Sequence, residues 1–104
     1  MNADDGLPAR VALFHGWADS PVWYRVPEHV GDVDLATLPI SDELRRRLLS
    51  WNAFADRVLS ANDYEWPDAR TEAEFVAAGS ALARELRDEL GIEVLYPDDD
   101  RHLR

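Results

Sequence analysis

The stretch HGWADSPVWY, positions 15 to 24, gathers a histidine, an aspartate and three aromatic rings within ten residues. A histidine near a carboxylate suits proton transfer or metal ligation, and His29 follows closely enough to join His15 and Asp19. Their spacing, however, matches no ligand motif. The run Asp98-Asp99-Asp100 lacks the loop glycine and closing glutamate of a calcium loop. The chain has no cysteine, which removes disulfides and thiolate zinc sites. We expect neither metal nor cofactor. A nucleophile triad needs a serine or cysteine beside a histidine and a carboxylate. Only His15, His29 and His102 are present, no serine sits in a glycine-flanked strand-to-helix turn, and the five glycines form no phosphate loop. No catalytic residue is assigned, and an enzyme is the less favoured class.

Recognition is the other chemistry these residues can do. Twenty-one acids face eleven bases, all arginine, giving a formal charge of −10. Such a surface repels a phosphate backbone, so no nucleic-acid partner is expected. It attracts a basic protein instead, and steers it fastest at low salt. No stretch approaches the roughly 20 apolar residues of a membrane helix. The acidic start has no apolar run of the kind a signal peptide carries, so a cytoplasmic chain without membrane contact is expected.

Five elements must position these groups, on a single domain spanning 1–104 with loose ends at 1–9 and 97–104. RVALFHG (10–16) and VWYRV (22–26) are short β-rich runs across a five-residue turn carrying Asp, Ser and Pro, which reads as a hairpin. Residues 27–39 read as a connection with one helical turn. A first helix is predicted over 41–61, capped by Ser41, with Leu44, Leu48, Trp51, Ala55 and Val58 as its apolar stripe. Asp42–Arg46 and Glu43–Arg47 have the spacing of ion pairs along it. TEAE (71–74) reads as a capping box opening a second helix at Thr71, which Gly91 stops. The small-residue run 77–81 would receive Trp51 or Phe54. IEVLY (92–96) is a third strand. The fold class expected is α+β in the order ββααβ, with a three-stranded, antiparallel-type sheet covered on one face by both helices.

Alternation sends Val11, Leu13, Val22 and Tyr24 towards the helices, with Ile92, Val94 and Tyr96. Phe14, Trp23, Arg25 and Leu95 then lie together on the opposite face. Trp and Arg dominate interface hot spots, so these four are the candidate partner-binding residues. The occupant would be a basic protein or a second copy of this chain, a homodimer. An alternative is a small-molecule pocket between the hairpin and the 62–70 loop, lined by Trp17, Tyr64 and Trp66. Packing of Trp17 and Trp23 on the 27–39 loop is the structural reading that competes with both.

The segments LPISDELRRRLLSWNAFADRVL and EFVAAGSALARELRDELGIEVLY resemble a group of small bacterial proteins. Their pattern is LPxSxELRxRLxxW followed by FxxEGxxLAxxLRxELG, and the likeness covers about residues 22–96. Ala78-Gly79 stands where the pattern has Glu-Gly. The matched positions are mainly caps and core residues, so the resemblance implies a shared fold and carries over no catalytic residue. A small acidic interaction module, antitoxin-like, immunity-like or regulatory, fits these observations best.

Overall fold

The computed structural model describes residues 7–97. The run Asp98–Asp100, His102 and most of both expected loose ends lie outside the described residues. Strand β1 is Arg10–Leu13 and β2 is Val22–Tyr24. A 3-10 turn follows at Leu35–Thr37, then helix α1, Asp42–Ala61, helix α2, Ala69–Leu90, and strand β3, Glu93–Leu95. The order ββααβ is as expected, with both helices on one sheet face. The sheet itself is mixed, not antiparallel throughout. Its order is β2-β1-β3, with β2 antiparallel and β3 parallel to β1. The helix pair carries the chain back to the end where β1 began, which makes β3 run alongside it in the same direction.

Register decides the two faces. Val11 pairs with Tyr24 and Val94, and Leu13 with Val22. Val11, Leu13 and Val22 are fully buried and join Leu44, Leu48 and Leu86 in the core. Ala12 pairs with Trp23 on one side and Leu95 on the other, so these three share the opposite face.

Ser41 caps α1, its hydroxyl accepting from the Leu44 amide at 3.2 Å. For α2 the expectation needs correcting: the cap is Asp68, not Thr71, and the helix opens at Ala69. Asp68 accepts from the Thr71 amide at 2.7 Å. Pro67 is tolerated just before the cap, and an aspartate N-cap outranks a threonine. The Thr71 amide and hydroxyl, as hydrogen-bond donors, hold the Asp68 carboxyl below the usual carboxylate range.

A second correction concerns the ion pairs of α1. Arg45, not Arg46, pairs with Asp42, at 2.6 Å. Arg47 reaches across to Glu85 on α2 with two bonds of 2.7 Å, as a guanidinium fork fits a carboxylate better than a single contact along its own helix. Arg47 thereby lowers the pKa of Glu85. Gly91 ends α2 at φ 69°, as the sequence required. Trp51 packs at Gly79 as expected, and Tyr96, which no local signal placed there, joins it.

Candidate partner-binding surface

The Leu13-to-Val22 connection is held by side chains from elsewhere. The Phe14 amide bonds to the Pro21 carbonyl at 3.0 Å, closing the loop at its base. Ser20 Oγ accepts from the Val22 amide, and Asp32 accepts from the Ser20 amide. Asn52 donates to the Ala18 carbonyl at 2.8 Å. His15 hydrogen-bonds to Asp56, its ring almost buried while the carboxylate stays 45% exposed. Asn52 and Asp56 are one turn apart on α1, so a single helix face straps the loop down.

Of the four residues predicted for partner binding, the structure brings three into direct contact. Phe14 and Trp23 stack with centroids 4.9 Å apart, and the Arg25 guanidinium lies 5.1 Å over the Phe14 ring. The Trp23 indole donates to the Phe14 carbonyl at 3.1 Å and lies against Gly16. Leu95 sits on the same face, across Ala12. The stack leaves Phe14, Trp23 and Leu95 half-buried and Arg25 exposed. Residues 31–33 meet Trp23 through its backbone: Tyr24 donates to Gly31 and Val33 to Val22, with Trp23 bridged to Asp32. This segment occupies the outer edge of β2. Arg87 donates to the Val94 carbonyl on β3. The face of the sheet is therefore more open than its edges.

The alternative trio divides. Trp66 turns to Phe75, 4.9 Å away, and to Phe54. Trp17 and Tyr64 meet edge-to-face at 5.5 Å, and Trp17 also contacts the His15 ring at 4.6 Å. They are the most exposed aromatic residues described, Trp17 at 52% and Tyr64 at 72%. Trp17, Asp63 and Tyr64 all take positive φ, at 62°, 54° and 64°. Large side chains rarely adopt that backbone, which costs about 1–2 kcal/mol per residue. Four hydrogen bonds hold the turn: the Asn62 and Tyr64 N–H groups to the Leu59 carbonyl, the Glu65 N–H to the Asn62 carbonyl, and the Asn62 side chain to the Glu65 carbonyl. Two residues along the chain from Trp17, Asp19 lines a hollow of about 460 Å³ together with Asp32 and Asp34. Arg45 also lines it but is committed to Asp42 and the carbonyls of Leu35, Leu38 and Ile40.

Sequence reading missed the His15–Asp56 contact, whose partners are 41 positions apart. Its one available signal was Asn52, a polar residue on the inward stripe of α1. Asp19 and His29, weighed as metal ligands with His15, do not gather around it: Asp19 lines the hollow, and His29 stacks on Tyr24. No group of three or more His, Asp or Glu able to hold a metal occurs among the described residues. Nor is any described helix long and apolar enough to cross a membrane.

Residues 9–99 match the family described as Serratia CdiI immunity protein-like, and the chain belongs to that family. No curated protein matches it.

Proposed function

We propose, from that family membership, that this chain is an immunity protein that neutralises a toxin by binding it rather than by catalysis. The observation that carries the reading is the match over residues 9–99, which spans both helices and all three strands. The charge of −10 supports a basic target, since complementary potentials raise the association rate and select the partner. A second copy of the chain is a poorer occupant, because each copy brings the same negative charge to the contact. The docking surface is the hairpin end of the open sheet face. There Phe14 and Trp23 supply flat apolar area, Leu95 extends it, and Arg25 supplies a rim donor. Docking on the face also avoids the outer edge of β2, which residues 31–33 already occupy.

The experiment takes candidate toxin domains encoded next to the gene for this chain, measured for binding by calorimetry and for growth arrest by co-expression. The expected result is a one-to-one complex, with growth restored and affinity falling as salt rises from about 50 to 300 mM. Sedimentation of the chain alone is expected to give a monomer. A folded chain that neither binds the toxin nor restores growth overturns the proposal, and a stable homodimer built on Trp23 replaces the basic partner with a second copy.

A further inference from the structure

We propose that Trp17 and Tyr64 form an anchor of their own at the loop end of the hairpin, receiving an arginine or lysine side chain from the basic partner. The inference rests on the immunity reading for the partner's identity, but the site is argued from its own geometry. Trp17 and Tyr64 leave more ring surface in water than the Phe14–Trp23 stack does, and they contact each other. They come from different elements, a hairpin loop and the turn after α1. Each is held at positive φ, and the loop that carries Trp17 is strapped to α1 through Asn52 and Asp56. The rings are thus preorganised, and little freedom remains to be lost when a partner binds.

Charge names the occupant. Asp56 lies behind Trp17, held through His15, with its carboxylate still open to solvent. Asp63 and Glu65 flank Tyr64 in the chain and are exposed. Asp19, exposed and two residues from Trp17 in the chain, lines the hollow with Asp32 and Asp34, which accept from backbone amides and pair with no cation among the described residues. Arg57, the cation next to Asp56 in the chain, lies over the Phe54 ring. Aromatic faces near exposed carboxylates that no arginine pairs among the described residues favour a guanidinium or ammonium group, through cation–π attraction and charge-assisted hydrogen bonds together. A neutral apolar partner would leave those carboxylates to be desolvated without compensation.

The test compares the wild type with the Trp17→Ala/Tyr64→Ala double variant, and with Trp17→Phe/Tyr64→Phe, which keeps the rings. Two probes are titrated: the toxin domain, by calorimetry, and acetyl-hexaarginine amide, by the indole N–H resonances of the four tryptophans. The peptide is expected to shift Trp17 and leave the buried Trp51 unmoved. The toxin is expected to bind the alanine variant at least about 30-fold more weakly and the phenylalanine variant within a few-fold of wild type. Toxin binding that is unchanged in the alanine variant overturns the anchor and leaves the immunity reading standing. A Trp17 shift with no toxin binding overturns the immunity reading and leaves the cation site. Should the alanine variant fail to fold, the wild-type Trp17 resonance decides the matter: no shift on toxin binding refutes the anchor.

Discussion

Adding a single methyl group at Gly79 tests the packing between the helices and the last strand. In an open helix, Gly→Ala stabilises by about 1 kcal/mol. Here a β-carbon would lie 2.6 Å from both Trp51 Cζ2 and Tyr96 Cζ, and closer still to the Tyr96 hydroxyl. Neither ring is free to retreat. Trp51 is stacked on Phe75 with centroids 4.3 Å apart and donates its indole N–H to the Phe75 carbonyl at 3.0 Å. Tyr96 donates to the Val76 carbonyl at 2.8 Å, and both side chains are buried. Overpacking of this kind costs about 1–3 kcal/mol. Displacing Tyr96 from its hydrogen bond costs about 1 kcal/mol more. Set against the helix-propensity gain, Gly79→Ala is expected to destabilise by about 1–3 kcal/mol. In a domain of this size each kcal/mol lowers the melting temperature by roughly 4–8 °C. Urea unfolding followed by far-UV circular dichroism gives the free energy, and an unchanged m-value ascribes the loss to the native state. Repeating the change in a Tyr96→Phe background removes the nearest clashing atom, so the added methyl is expected to cost less there. A Gly79→Ala protein as stable as the wild type, or more so, refutes the reasoning.

Four other substitutions probe the ends of α2. Gly91→Ala is expected to cost about 1 kcal/mol in urea unfolding; the space is open there, so the penalty is the positive φ alone. Asp68→Ala is expected to lower the melting temperature more than Thr71→Ala does, because Asp68 is the cap and Thr71 its donor; the reverse order would return the cap to Thr71. The Asp68 and Glu85 carboxyls are both held below their ordinary values, by the Thr71 hydrogen bonds and by Arg47 respectively. Their contribution is therefore complete above the ordinary carboxylate pKa, about 4, and is lost as pH falls through the lower folded-state values. Melting curves of Asp68→Asn against pH are expected to keep the cap while showing a shallower acid loss than the wild type.

Local chemistry was enough to set most of the elements of this protein. Ser41 before Asp42-Glu43 and an apolar stripe at helical spacing fixed α1 to within a residue, because caps and periodicity act over one or two turns. Gly91 was legible for the same reason, since its left-handed conformation is a property of one residue. The alternation of Val11, Leu13 and Val22 against Ala12, Phe14 and Trp23 predicted which groups would share the open face, and the Phe14–Trp23–Arg25 contact follows that division. At Asp68, local signals competed: two possible caps lay three residues apart, and the threonine before a glutamate looked the more complete motif. The direction of β3, the Arg47–Glu85 pair and the His15–Asp56 contact were decided only by the tertiary structure. Each depends on how segments tens of residues apart come to lie, and no local propensity encodes that. The Trp17–Tyr64 ledge stands between the two cases: the sequence suggested both rings, with Trp66, around one pocket, but not their contact or their exposure. The sequence supplied two aromatic residues 47 positions apart, and it took the packing of the hairpin loop against the end of α1 to put one ring against the other and leave both facing water.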